Sequence, residues 1–187
     1  IACYNGPKAT VISGDPQALA QAVARLEEEL LTTTPLRVRQ AFHSAQLDGV
    51  VAPLTRFAQG LALTSPTIPL VSGLSGDFIP QLSAESLAQQ VRAPVRFEQG
   101  LRALAAEGIT SFVELGPRPA LTALGGATLG PGAWMIPGIV GEDEVGATFG
   151  ALAGAWAGGA TVDWPAALAP LEGRRVSLPT TAFVRRP

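Results

Sequence analysis

The chain has 187 residues, 47% hydrophobic and 15% charged, with a formal net charge of -2. That length builds one substantial domain or one lobe of a larger one, and this composition excludes a disordered chain. No basic stripe stands out, so nucleic-acid binding has no electrostatic support; one cysteine and one histidine exclude an intrachain disulfide, a cysteine-built metal site and any multi-histidine site.

Ile1 to Tyr4 and Ala9 to Ser13 are short apolar runs separated by Asn5-Gly6-Pro7, which is turn chemistry and predicts a hairpin or tight bend. Asp15 offers an N-cap with Pro16 at the first helical position. Leu19, Val23, Leu26 and Leu30 then recur at helical spacing, and Thr32 to Pro35 end that helix. Leu36 to Phe42 reads as a strand. The order strand, strand, helix, strand fits most of a ferredoxin-like lobe that lacks its first elements.

After His43 the character changes. Leu47, Val50, Leu54, Phe57 and Leu61 mark a helix that Pro53 kinks or restarts. Ile68 to Val71 is a short strand. Ser83 caps a helix through Val91 that stops before Pro94. Phe97, Leu101 and Leu104 mark another, closed by Gly108. Ser111 to Leu115 reads as a buried strand, Pro119 to Leu129 as a helix, and Trp134 to Ile136 as a last short strand. Val145, Phe149, Leu152 and Trp156 make a final amphipathic helix. Such alternation predicts an α/β layer. From Gly158 on, proline and glycine interrupt everything, which predicts an extended segment lying on a surface. There is no internal repeat.

His43, the only histidine, stands where the strand-like run ends. A histidine near neutral pKa at a strand end can act as a general base, although a lone histidine is more often structural. It needs a nucleophile. Serine nucleophiles of α/β enzymes sit in a strained Gly-x-Ser-x-Gly turn. The nearest stretch, "VSGLSGD" at 71–77, has glycines at 73 and 76, the wrong spacing for either serine. Ser44 adjoins His43, and neighbours on an extended chain point apart. Cys3 reads as a small apolar residue rather than a nucleophile. "GGATLG" at 125–130 lacks the lysine of a phosphate loop and reads as a helix end. Glu142, Asp143 and Glu144 favour a helix N-terminus. The arginine pairs 174–175 and 185–186 read as solvated surface.

Five stretches and a two-part linker-like tail, in order, resemble one family: the acyltransferase domain of type I modular polyketide synthases. They are "YNGPKATVISGD" (4–15), "QAFHS" (40–44), "PLVSGLSGD" (69–77), "VRAPVRFEQGLRAL" (91–104), "FVELGP" (112–117), and the linker-like "VDW" and "LPTTAF" (162–164 and 178–183). The resemblance covers essentially the whole chain. It implies an α/β fold: a partial α/β-hydrolase-like large lobe with a ferredoxin-like small lobe. Residues 1–43 would belong to the small lobe, 44–157 to the large lobe, and 158–187 to the post-acyltransferase linker.

The family moves a malonyl-type group from coenzyme A to the phosphopantetheine thiol of an acyl carrier protein through a serine acyl-enzyme. The resemblance makes His43 the general base and gives the backbone carbonyl of Gln90 the task of orienting its ring. Phe42 would fill the space that an α-methyl group needs, selecting malonyl over methylmalonyl. Gln40 stands where the family has histidine, and Asn5 lies in the substrate-side Asn-Gly-Pro stretch. No cofactor is bound covalently; the coenzyme A thioester is substrate. The implied partners are the N-terminal half of the domain, which would carry the serine, the neighbouring ketosynthase and linker, and the carrier protein. The isolated chain would then be inactive. Leu178, Pro179 and Phe183 would pack on a neighbouring surface. A second reading is a degenerate, non-catalytic scaffold between ketosynthase and carrier protein; Gln40, and Ser86-Leu87 where the family has Tyr-Trp, keep it open. A free-standing ferredoxin-like binding module does not explain the long α/β continuation. With no membrane-spanning run and no signal peptide, a cytoplasmic location is expected. Ile1, not Met, opens the chain in strand-like sequence, as an internal piece of something longer would.

Overall fold

The structure is a computed structural model, and it describes residues 1–171, 173 and 176–179. The chain opens with an antiparallel hairpin, β1 (Cys3–Gly6) and β2 (Ala9–Val11). Tyr4 faces Thr10 and Gly6 faces Ala9, so Asn5 is the extra residue of a bulge. Helix α1 (Pro16–Glu28) follows as expected. The Asp15 carboxylate accepts from the backbone N–H groups of Gln17 and Ala18 at 2.9 and 3.1 Å.

The end of α1 departs from the usual chemistry. The N–H of Leu30 donates to the Glu27 carbonyl and that of Leu31 to Leu26, a closure that places Leu30 at φ +61°. Glycine usually occupies this left-handed position because a Cβ is strained there. The Leu30 side chain is 93% exposed and gains nothing from packing within the chain. Leu30→Gly is therefore expected to stabilise the protein by roughly 0.5–1 kcal/mol, the relief of the left-handed strain less the added freedom of the unfolded chain. A urea titration checks it.

Residues 36–42 are not a strand. They belong to no ladder, and Val38 N–H closes a tight local turn on the Leu36 carbonyl. Leu36, Val38 and Phe42 keep the alternation of a strand but are 60%, 64% and 50% exposed. A strand needs a hydrogen-bonding neighbour, and the described residues supply none here.

A 3-10 turn (Ala45–Leu47) capped by Ser44 leads into α2 (Asp48–Gln59), which continues through Pro53 as one helix. Strands β3 (Leu70–Ser72) and β4 (Asp77–Ile79) pair as a second hairpin. The glycines at 73 and 76 serve this turn, with Gly76 at φ +70°. Helix α3 (Ala84–Gln89) starts with a reciprocal cap: Ser83 Oγ accepts from Ser86 N–H, and Ser86 Oγ accepts from Ser83 N–H, both at 3.0 Å. Helix α4 (Phe97–Ala106) is followed by Gly108 at φ +81°.

Strand β5 (Ser111–Glu114), helix α5 (Ala120–Leu129) and strand β6 (Trp134–Pro137) form a βαβ unit with the two strands parallel. Glu114 reaches from the end of β5 to the start of α5. Its two carboxylate oxygens accept from Leu121 N–H at 3.0 Å and Thr122 N–H at 2.8 Å. The acidic residue of "FVELGP" thus fixes how strand passes to helix. β5 is not the fully buried strand that its sequence suggests: Val113 is 44% exposed, and Leu115 just beyond it 89%. Helix α6 (Glu144–Ala157) is capped by Asp143, which accepts from Gly146 N–H at 2.8 Å. It lies close on β6 at Gly154, where a Cβ would stand 3.2 Å from Ile136. The segment after Gly158 is not simply extended. Asp163 caps a short helix, α7 (Trp164–Leu168), and the Trp164 ring meets Trp156 edge-on at 6.4 Å.

The architecture is mixed α/β. Its buried apolar residues are mostly small: Ala2, Ala58, Ala84, Ala88 and Ala151, joined by Leu101 and Ile136. The accessible surface is 13927 Å², against about 8400 Å² for a compact chain of this size. Large apolar faces therefore lack a neighbour within the described residues. None of the described helices is long and apolar enough to cross a membrane.

Candidate active site

His43 sits in the left-handed region at φ +60°. That conformation is uncommon outside glycine, although histidine adopts it more readily than most, and it persists where surrounding bonds hold it. Here the bonds come from the segment between α3 and α4. The His43 N–H donates to the Val91 carbonyl at 2.9 Å, and ring Nδ1 lies 2.8 Å from the Ala93 carbonyl. A carbonyl only accepts, so Nδ1 carries the proton, and in the neutral ring Nε2 keeps its lone pair. Among the described residues no hydroxyl hydrogen-bonds this ring. Ser44 donates to the Ala41 carbonyl at 2.7 Å and Ser13 to the Phe42 carbonyl at 2.6 Å.

The orienting carbonyl is therefore Ala93's, not that of Gln90 as expected from the sequence. Gln90 is the C-cap residue of α3, and its side chain reaches Ser72 Oγ at 3.4 Å. The turn that follows α3 is the physical reason. It is closed by the N–H groups of Arg92 and Ala93, which both donate to the Gln89 carbonyl, and it leaves the carbonyls of Val91 and Ala93, rather than that of Gln90, against the histidine. The same segment is fixed on its far side: Val95 N–H donates to the Ala2 carbonyl, and Tyr4 N–H to the Val95 carbonyl, both at 2.8 Å. β1, the 91–95 segment and His43 form one connected unit.

The Phe42 ring is half exposed, with its centroid 6.5 Å from that of His43. The serine of "VISGD" ties the Phe42 carbonyl to the end of the first hairpin, a contact that the sequence did not signal. Asn5 occupies the bulge of β1 and is half-buried; Gln40 is exposed. Cys3 is half-buried, and burial pushes its thiol up from the ordinary value, which makes a thiolate nucleophile less available. No group of three metal-ligating side chains occurs among the described residues.

Residues 1–141 match the family model described as "Acyl transferase domain". The chain belongs to the acyltransferase domains of polyketide synthases. The spectinabilin polyketide synthase system protein NorB of Streptomyces orinoci is 37% identical over 195 residues, covering all of this chain and 9% of that protein. The pikromycin synthase component PikAIII of Streptomyces venezuelae is 34% identical over 98% of this chain and 12% of its own length. Among solved structures, the acyltransferase domain from the second module of the salinomycin polyketide synthase superposes with a TM-score of 0.86 at 38% identity, covering 95% of this chain and 43% of that one. MCAT from Streptococcus pneumoniae gives 0.64 at 28% identity, over 73% of this chain and 45% of its own. The acyltransferase chain thus spans about a tenth of these synthases and less than half of the solved domains.

Proposed function

We propose that the chain provides the histidine side of an acyltransferase site that moves a malonyl-type group from coenzyme A to the phosphopantetheine thiol of an acyl carrier protein. The observation that carries this reading is the ring of His43, donating from Nδ1 to the Ala93 carbonyl and leaving Nε2 free to accept a proton. In this reading a serine on the segment preceding the chain is the nucleophile. Nε2 takes its proton as it attacks the thioester carbonyl, and gives that proton to the departing coenzyme A thiolate. In the second half, Nε2 takes the proton of the incoming thiol, the thiolate attacks the acyl-serine ester, and the proton returns to the serine oxygen. The partner of Nδ1 is a neutral carbonyl rather than a carboxylate, so the ring is oriented without a fixed counter-charge on that side.

The reading assigns residues 1–43 to the ferredoxin-like small lobe, 44–157 to the hydrolase-like large lobe and 158–187 to the linker beside a ketosynthase. Leu178, Pro179 and Phe183 pack on that neighbour; Leu178 is 79% exposed within this chain, and Phe183 lies outside the described residues. Asn5 and Gln40 border the substrate.

The test is the intact mass of the domain that contains this chain, after brief exposure to malonyl-CoA or methylmalonyl-CoA. A malonyl adduct that the carrier protein removes supports transfer; no adduct from either thioester favours the scaffold. Phe42 sets the choice between them by bulk. Phe42→Ser is expected to raise the methylmalonyl-to-malonyl ratio of kcat/KM by about 10-fold or more, since one methyl group is worth roughly 1–3 kcal/mol of discrimination. A competition assay with both thioesters measures it.

A further inference from the structure

The two segments that meet at His43 share a third contact outside the ring. Arg92 lies between the two residues whose carbonyls hold the histidine, and its Nε donates to Oδ1 of Asp48. Asp48 opens α2, and only the 3-10 turn capped by Ser44 separates it from His43. Three interactions therefore join residues 43–48 to residues 91–93: a backbone bond, the ring bond and the ion pair. Two of them hold His43 directly. The third closes the ring of chain around it.

We propose that Arg92 and Asp48 are positioning residues for His43, acting through the register of the 91–93 segment. This rests on the reading of His43 as the base. The Arg92 side chain is 35% exposed and that of Asp48 64%, so the pair adds little to overall stability. Its effect is local. His43 holds a strained backbone conformation, and the Ala93 carbonyl can accept the hydrogen bond from Nδ1–H only while the two segments keep their spacing. Without the pair, residues 91–93 are held to residues 43–48 only by the two bonds at His43 itself, and the ring's preference for the Nδ1–H form weakens. A role for Asp48 confined to the N-terminus of α2 would leave the ring untouched.

The test reads the ring directly. In the complete acyltransferase domain labelled with 15N-histidine, at a pH where the ring is neutral, the pair of ring nitrogen resonances that His43→Asn removes reports which nitrogen of His43 carries the proton. The wild-type domain is expected to show Nδ1 protonated and Nε2 bare. Arg92→Ala and the near-isosteric Asp48→Asn are each expected to move both resonances toward the averaged positions of a free imidazole, with the circular dichroism of the fold retained. Two folded variants with wild-type ring shifts overturn the proposal. Unfolding of both variants also overturns it, by making the pair a general stability element. Averaged shifts already present in the wild-type domain would remove the His43 geometry itself, and the functional reading with it. Shifts that move in the variants, beside transfer that survives His43→Asn in the complete domain, would leave the positioning role standing and defeat only the catalytic one.

Discussion

Replacing His43 by Asn in the complete acyltransferase domain is expected to lower kcat by roughly 10²–10⁴-fold, the usual contribution of a positioned general acid–base group. Asn is the better choice over Ala for a conformational reason. His43 sits at φ +60°, a region that Asn tolerates and Ala does not. The N–H bond to the Val91 carbonyl is a backbone contact and survives either change. KM for the acyl-CoA is expected to change little, because the ring acts on protons rather than on the body of the substrate. Both half-reactions should fall, since in the proposed mechanism the same nitrogen serves the serine and the incoming thiol. Stopped-time mass analysis of the acyl-enzyme, with and without carrier protein, separates the two. An unchanged kcat would remove His43 from the mechanism.

The second large effect is on stability. Leu101 is 6% exposed and is, with Ile136, one of two large aliphatic residues among the buried apolar positions of the described residues. It lies in α4 against α5, where a Cβ added to Gly125 would stand 3.6 Å from its methyl. Truncating Leu101 removes that packing and leaves a cavity between the two helices. Leu101→Ala is expected to cost about 3 kcal/mol. For a chain of this length that lowers the melting temperature by about 6–12 °C. Thermal denaturation followed by circular dichroism measures it. A drop of a degree or two would mean that α4 and α5 do not form the centre of the packing.

Local chemistry made much of the fold legible. Asp15 with Pro16, Ser83, Asp143 and the Gly108 stop each mark a helix end, and the structure uses each of them. The first hairpin followed from Asn5-Gly6-Pro7, although the bulge at Asn5 did not. What failed depended on partners or on backbone. The alternation of Leu36, Val38 and Phe42 describes a face, but a strand exists only where another strand receives its hydrogen bonds. β4 was hidden because the glycines before it were weighed as a catalytic turn rather than a hairpin. α7 was hidden by the prolines and glycines around it, although Asp163 and Pro165 carry the same capping signal as Asp15 and Pro16. At the candidate site, the sequence singles out His43 and Phe42, and the structure places their rings 6.5 Å apart. The carbonyl that holds the His43 ring was not legible, because any residue carries one, and only the path of the chain after α3 decides which.

That anonymity shapes how such a domain can change over evolutionary time. Val91 and Ala93 hold the histidine with atoms that every residue possesses, so their side chains are free to drift without disturbing these two bonds. Phe42, one position before it, is held by its carbonyl as well, through Ser13, and its ring is free to be exchanged. In the proposed reading, in which Phe42 sets the extender unit and His43 moves the proton, selection on the first can act at position 42 while the second stays as it is.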